Sequence, residues 1–400
     1  MPKLTIAGVN VRAALRTILS IYERYRFPIH VFVLSRVVFL MLVSLANAAP
    51  INSAPDPNIW IRWDGGWYYT IADHGYRYLA ETQSNIAFFP MLPILMRLVG
   101  FATGNLYTAG VLIVHVSQLG ALIAAYALMR YETPDDPEAA ERFVLYLAFA
   151  PGALFQSPIY TESLFLLLSL LAVLAARCRK WTLSAAAAML AGAVRVVGVM
   201  IVVFLVLEWL RSHGFTLRTM FTRMGWRRLF TGLREQAGVV TAIALVPFGL
   251  FSYMAYLNTN YGEPFLFRDV QSAWGRSPDV LFLSALQNVR RVVESVLTGQ
   301  PVILSEQLTF VTLIVMFILT IAVWHRFGTP YGGYTLATLL LTISASMVSV
   351  VRYASVIFPV FMVLALAGKR SRSAHYAILI IFCVLYGMLT FLFVRDFYFE

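Results

Sequence analysis

The 400-residue chain has little charge and very little cysteine. Charged residues make up 13% of it, against about 25% in a typical soluble domain, whereas hydrophobic residues make up 60%. Cys178 lies in a short basic connection and Cys383 in an apolar run, so a disulfide framework is not expected. With a mean hydropathy of +0.73, the composition predicts an all-α polytopic integral membrane protein.

The sequence also lacks motifs for metal ions and nucleotide phosphates. Its six histidines are scattered singly, and no cysteine and histidine cluster has the spacing of a metal site. Neither a GxxxxGK nor a GxGxxG loop occurs, which argues against a soluble nucleotide sugar as donor. We therefore expect no metal ion and no other cofactor.

Positive charge is in excess, with a formal net charge of +11. The basic residues lie in short connections beside apolar runs, where they suit anionic lipid headgroups better than a nucleic acid. The first 28 residues contain several of them and no secretory signal. We expect residues 1–28 to form a cytosolic basic interfacial arm and residues 29–400 to form one multispan membrane domain.

Several apolar runs have about the 20 residues that a bilayer requires. They are 29–49, 106–129, 237–257, 303–324, 332–350 and 374–394. Shorter runs occur at 87–104, 142–157, 161–176, 182–210 and 353–367. Together they predict about 11 transmembrane helices. The run at 182–210 predicts either one tilted helix or two short helices that meet near Arg195.

The distribution of basic residues selects a topology, because basic residues accumulate in cytoplasmic loops. The arrangement that places most of them inside leaves 50–105 as the first external loop and 258–300 as the second. In the rival arrangement 87–104 crosses fully and 182–210 is a single span. That arrangement would place the basic connection at Arg177 outside.

A polar, aromatic island at residues 60–93 interrupts the apolar sequence. Irregular polypeptide at membrane depth persists only where protein or a water-filled cavity covers it, so the island is a candidate site. Within it, Asp64 follows Trp63 and precedes two glycines that allow backbone and substrate to approach closely. In the preferred topology the island shares the external face with Tyr160, Glu162, Arg195 and Arg352.

A set of motifs resembles a known family. The motifs are WDGGWYYTIADHGY from residue 63, AFFPMLP at 87–93, FAPGALFQSPIYTESLF at 149–165, AGAVRVVG at 191–198, QSAWGR at 271–276 and VRYASVIFP at 351–359. They resemble the PIG-V family, the second mannosyltransferase of glycosylphosphatidylinositol assembly and its bacterial relatives. The resemblance departs at Val196 and Val197, where relatives often place a small or polar pair.

The resemblance implies a GT-C glycosyltransferase, a multispan helical enzyme with a catalytic aspartate in its first external loop and a polyprenyl-phosphate-linked sugar as donor. An inverting transfer needs a carboxylate to take the proton of the acceptor hydroxyl, which is worth about 10² to 10⁴ in rate. We predict that Asp64 is this base. The residues predicted to contact substrate are Trp63, Trp67, Tyr68, Glu81, Tyr160, Glu162, Gln271 and Trp274.

A departing lipid phosphate needs cationic partners, and arginine offers bidentate contacts. Arg195 and Arg352 are embedded in apolar sequence, where a lone charge is costly and usually functional. With Arg276, they are the predicted lipid-phosphate ligands. A purely structural ion pair, for example with Glu162, is the alternative for Arg195 and Arg352.

These features predict transfer of mannose from a polyprenyl-phosphate sugar to an extracytoplasmic glycolipid, polysaccharide or protein at a bacterial inner membrane. A related glycosyltransferase that uses glucose or arabinose fits the residues as well. A transporter or lipid flippase is the alternative of another class. Such proteins often carry inverted repeats with broken helices at mid-bilayer, and no such repeat is visible in this sequence.

Overall fold

The computed structural model describes residues 5–6, 9–49, 58–80, 82–215, 219, 221–274, 283–298, 304–345 and 349–397. In these residues the regular structure is helical, apart from one antiparallel pair of short strands, Thr5–Ile6 and Val9–Asn10. In chain order the helices are α1 Val11–Ala48, α2 Asp64–His74, α3 Met91–Thr103, α4 Leu106–Glu132, α5 Pro137–Phe149, α6 Glu162–Arg177, α7 Trp181–Val194, α8 Ile201–Ser212, α9 Arg223–Glu235, α10 Ala237–Ala244, α11 Phe248–Tyr261, α12 Leu266–Asp269, α13 Leu283–Thr298, α14 Leu304–Phe327, α15 Thr329–Ala345, α16 Val350–Ala354, α17 Pro359–Arg370 and α18 Arg372–Val394.

Four helices within the described ranges are long and apolar enough to cross a membrane. They are α1 from Leu19, α4, α14 and α18. The pair α10 and α11, bent by 44° at a short break, makes a fifth if it is counted as one span. The chain is therefore a multi-pass membrane protein, and the expected number of about 11 spans is not confirmed.

Two of the uncertain segments take definite forms. The 182–210 run divides into α7 and α8, which are joined at Arg195 by the 3₁₀ segment Val196–Met200, as in the two-helix alternative. α3 has 13 residues and a length of about 20 Å, which is less than the ~30 Å hydrocarbon core. α3 alone is therefore too short to cross the membrane.

The predicted interfacial arm and the first span share one helix in the described chain. α1 continues from Val11 to Ala48, with non-helical backbone angles at Tyr25 and a proline at position 28. A proline inside a helix removes a backbone hydrogen bond and favours a kink, so the change of direction falls where the basic segment meets the apolar one.

The helices α6, α7 and α8 run back and forth between two ends of the bundle. The short turn 178–180 reverses the chain between α6 and α7, and Gly198 packs against the Ala191 carbonyl to reverse it again after α7. A Cβ atom on Gly198 would lie 2.2 Å from that carbonyl oxygen, so this reversal requires glycine. The starts of α6 and α8 and the end of α7 consequently lie at the same end.

Candidate functional site

Four charged side chains meet at the end of the bundle where α6 begins, and we call them the four-charge site. Arg352 Nη1 donates to Asp64 Oδ2 at 2.5 Å, and Arg352 Nε donates to Glu162 Oε1 at 2.5 Å. Arg195 Nη1 donates to the same Glu162 oxygen and to Thr161 Oγ1, the latter at 3.3 Å. Segments that are far apart in the chain thus join two carboxylates and two guanidinium groups.

Unusual backbone geometry leads into two of the helices that carry these groups. Trp63, immediately before α2, has φ of 48°, and Ser349, immediately before α16, has φ of 68°. Positive φ is uncommon for residues other than glycine, and for a bulky tryptophan it is a clear outlier. Such strain persists only where the surrounding structure fixes it, and it often accompanies functional sites.

Two glycines let the backbone segments of the site approach closely. A Cβ atom on Gly65 would lie 3.0 Å from the Trp60 carbonyl oxygen, and a Cβ atom on Gly152 would lie 2.5 Å from the Val351 carbonyl oxygen. The second contact packs the 3₁₀ segment Pro151–Gln156 directly against α16. Because Arg352 lies on α16, a larger residue at position 152 would displace its guanidinium group.

The site has matched charge but unused hydrogen-bonding capacity. Glu162 is completely buried, and both of its hydrogen bonds go to Oε1, while Oε2 has no hydrogen-bond partner. A buried acceptor without a partner costs about 1 to 3 kcal/mol. Asp64 is 22% exposed at its side chain, and its Oδ1 bonds to none of the described residues. Asp64 can therefore accept a hydrogen bond from a bound molecule, whereas Glu162 Oε2 is enclosed by protein in this structure.

Aromatic rings support the two arginines. The Arg352 guanidinium lies 4.5 Å from the ring centre of Tyr160, and the Arg195 guanidinium lies 4.6 Å from that of Tyr353. Such cation–π contacts stabilise a charge in a site from which water is largely excluded. Tyr160 has no exposed surface, so in this structure it supports Arg352 and presents no face to a ligand.

The other predicted aromatic residues lie on or beside α2. Tyr68 is buried one turn after Asp64, and burial, together with the nearby charge of Asp64, raises the pKa of Tyr68. Trp67 stacks on Phe88 and remains partly exposed. Trp63 points toward the end of α18, where its Nε1 donates to Asp396 Oδ1 at 3.0 Å.

The structure describes the remaining predicted site residues only in part. Gln271 lies on the 3₁₀ segment Val270–Trp274, and its Nε2 donates to the Phe267 carbonyl at 3.3 Å. Trp274 ends that segment, and its side chain is outside the described part. Glu81 and Arg276 lie outside the described residues altogether. Their assignments stay predictions.

Sequence reasoning missed residues that shape the site. Arg62 is buried and donates to the Phe393 and Val394 carbonyls at 2.6 and 2.5 Å, which fixes the island to the end of α18. Tyr353 and Thr161 touch Arg195. Tyr353 follows Arg352 and Thr161 precedes Glu162 in the quoted motifs, so their position beside a predicted site residue could have indicated them. Arg62 bonds to main-chain carbonyls and pairs with Asp396 at 3.6 Å, and no local motif links these groups 331 to 334 positions apart.

Within the described part of the chain, no group of three or more histidine, cysteine, aspartate or glutamate side chains is arranged to hold a metal ion. The acids of the site are bonded to arginines. Its chemistry is that of carboxylates held beside guanidinium groups, which suits proton transfer and recognition of a phosphate.

The fold and the site define a multi-pass helical membrane protein with a buried acid and arginine cluster at one end of its bundle. Residues 25–264 match the family described as Mannosyltransferase (PIG-V), which is more than half of the 400 residues. The chain belongs to this family. The predicted family is confirmed.

The curated proteins that match the chain are also named as mannosyltransferases. The chain is 29% identical over 205 residues to GPI alpha-1,6-mannosyltransferase 2 of Rattus norvegicus, and 29% identical over 208 residues to the Mus musculus protein of the same name. Each match covers 49% of this chain and 40% of the relative. The chain therefore matches less than half of the full length of each relative.

Among solved structures, the Archaeoglobus fulgidus oligosaccharyltransferase in its apo form covers 92% of this chain and 56% of its own, with a TM-score of 0.46 and 13% identity. The same enzyme with an inhibitory peptide and a dolichol-phosphate covers 94% of this chain and 56% of its own, with a TM-score of 0.44 and 12% identity. Similarity at this level assigns no function.

Proposed function

We propose that the protein is a glycosyltransferase that moves mannose from a polyprenyl-phosphate carrier to a hydroxyl group, with inversion at the anomeric carbon. The proposal rests on the contacts and the exposure of Asp64. One of its oxygens is held by Arg352, while the other bonds to no described residue and the side chain is partly exposed. This is the geometry of a general base that is oriented and still accessible to an acceptor.

In the proposed reaction, Asp64 Oδ1 takes the proton from the acceptor hydroxyl as its oxygen attacks the anomeric carbon. The bond from that carbon to the carrier phosphate breaks, and the phosphate leaves with the bonding electrons. Glu162 Oε1 holds Arg195 and Arg352 beside the reacting groups. No metal ion takes part.

Arg195 is the better candidate of the two central arginines for the leaving phosphate. Its Nη1 is engaged by Glu162 and Thr161, whereas its Nε and Nη2 bond to none of the described residues. Arginine carries five N–H donors in a planar fork, so it can hold Glu162 and a phosphate oxygen together. Arg352 orients Asp64 and Glu162, and Arg276 stays a predicted phosphate ligand.

The family name and the curated relatives support mannose as the transferred sugar. The predicted topology places the four-charge site at the external face of a bacterial inner membrane, where the acceptor is a glycolipid, a polysaccharide or a protein. The apolar helices beside the site favour a donor that stays in the bilayer over one that is dissolved in water.

The experiment compares donors with the full chain reconstituted in lipid. Labelled mannose is supplied as polyprenyl-phosphate mannose or as a nucleotide-linked sugar, and transfer to membrane acceptors is measured with and without a chelator. We expect transfer from the lipid-linked donor only, unaffected by the chelator, with inverted anomeric configuration in the product. Transfer from the soluble donor, a retained configuration, or lipid movement without sugar transfer would overturn the proposal.

A further inference from the structure

A cavity of about 460 Å³ lies at the end of the bundle opposite the four-charge site. α7 begins at Trp181, which lines the cavity, and ends at Val194, next to Arg195. With 14 residues at about 1.5 Å per residue, α7 separates the two places by roughly 20 Å. The reaction proposed above does not use this cavity. It is lined by Arg179, Trp181, Ser212, His213, Gln236 and Val239.

The lining favours an anion. It contains a guanidinium group, an imidazole, a hydroxyl and an amide, but no carboxylate. His213 Nδ1 donates to the Trp209 carbonyl oxygen at 2.8 Å, so Nε2 of the neutral ring is an acceptor and can donate to an anion only when the ring is protonated. Gln236 Oε1 accepts from Trp209 Nε1 at 3.0 Å, which leaves the NH₂ group of Gln236 as a donor. The negative charge of the nearby Glu208 is balanced, because Oε1 pairs with Arg177 and Oε2 pairs with Arg211.

The backbone at Arg179 gives a second indication. Arg179 has φ of 61°, in the turn after α6 where its amide donates to the Ala176 carbonyl and the next amide donates to the Ala175 carbonyl. Helices commonly end in this left-handed conformation with glycine, which adopts it without steric cost. An arginine in a position suited to glycine indicates that its side chain is used.

The cavity is bordered by an amphipathic helix that suits a membrane surface. On α9, Trp226 and Phe230 are one turn apart and exposed, with exposed arginines on the same helix at 223, 227 and 234. Aromatic side chains beside arginines are typical of helices that lie at the boundary between bilayer and water. α9 contacts the cavity because a Cβ atom on Gly232 would lie 2.8 Å from His213 Cδ2.

We propose that this cavity binds the phosphate-bearing headgroup of an anionic phospholipid from the leaflet at this end of the bundle. Arg179 contacts the phosphate, and the NH₂ group of Gln236 supplies a neighbouring hydrogen bond. The acyl chains leave the cavity along α9 into the bilayer. This site is separate from the donor carrier, whose phosphate is assigned to Arg195 at the other end.

The test uses delipidated full-length protein in a neutral detergent. The unfolding temperature is measured against increasing concentrations of phosphatidylglycerol, phosphatidylcholine or inorganic phosphate. The informative variant is Arg179→Gly, which removes the side chain and at the same time places glycine where φ is positive, so folding is retained. The matched control is Lys180→Gln, which removes one exposed positive charge from the adjacent position outside the lining.

For the unmodified protein and the control we expect phosphatidylglycerol to raise the unfolding temperature, with little effect from the other two probes. In the Arg179→Gly variant the apparent dissociation constant for phosphatidylglycerol should rise about tenfold, as for a lost charge-assisted hydrogen bond. An equal response in the variant and the control would overturn the proposal. So would equal stabilisation by inorganic phosphate, which would make the cavity a site for free phosphate.

Discussion

The two ends of the bundle each bury a network of ion pairs, and they differ in whether a carboxylate is accessible. At the end where α6 finishes, Arg177 bonds to Glu132 at 2.5 and 3.2 Å and to Glu208 at 2.8 Å. Tyr331 and Arg211 complete the network, in which the Glu132 and Glu208 side chains are only 9% and 1% exposed. Within the described chain, each end has a buried carboxylate oxygen without a hydrogen bond, Glu208 Oε2 at one and Glu162 Oε2 at the other. The four-charge site differs because its second acid, Asp64, is 22% exposed at its side chain.

The difference separates a structural network from one that can receive a ligand. A buried network without an accessible carboxylate fixes helix ends against each other and has nothing to offer a substrate. A network with a partly exposed carboxylate can accept a hydrogen bond from a bound hydroxyl group. Ion pairing alone does not distinguish the two ends. The exposure of Asp64 does.

Asp64→Asn should have the largest effect on transfer. Loss of the base lowers the rate by about 10² to 10⁴, while the unfolding temperature stays close to that of the unmodified protein because Asp64 is only partly buried. The measurement is the initial rate with lipid-linked mannose. Asp73→Asn, in the exposed part of the same helix, is the control. A fully active Asp64→Asn protein would end the assignment.

Glu162→Gln should come next, because it affects both folding and transfer. It leaves Arg195 without its carboxylate partner, and breaking a buried ion pair in this way costs about 3 to 5 kcal/mol. Thermal unfolding and the transfer rate per folded molecule are measured together. If stability falls and that rate is unchanged, Glu162 is a structural residue like Glu132, and only Asp64 distinguishes the two ends.

Gly152→Ala tests whether the position of Arg352 matters. The added methyl group overlaps the Val351 carbonyl and displaces α16, with an expected loss of about 1 to 3 kcal/mol in stability. Because Arg352 holds Asp64, transfer should fall severalfold with little change in the affinity for acceptor. Gly120→Ala on α4, which would meet only the Leu167 side chain, is the control and should be milder.

Glu132→Gln should have the smallest effect on transfer. It removes a charge from the network at the end of α6 but leaves Arg177 paired with Glu208, so we expect a loss of about 1 to 3 kcal/mol in stability. The rate per folded molecule should stay within about twofold, since the change lies roughly 20 Å away at the far end of α6. A large loss of rate would show that the two ends are coupled.

The sequence predicted the parts of the site that lie within single motifs. The lengths of the apolar runs predicted a helical membrane protein, because crossing a bilayer imposes a minimum length on each segment. The motifs around Asp64, Glu162, Arg195 and Arg352 predicted the family, which the matches to known proteins confirm. The topology and the roles of the individual residues remain predictions.

Composition and periodicity by themselves determined the membrane class, and local motifs determined the family and the candidate acids and arginines. Only the tertiary structure decided that Arg352 bonds to Asp64, 288 positions away, and shares one oxygen of Glu162 with Arg195. It also decided that Asp64 is partly exposed while the acids at the opposite end are enclosed. The physical reason is that a hydrogen bond depends on the placement of atoms from distant helices, and no local pattern in the chain records that placement.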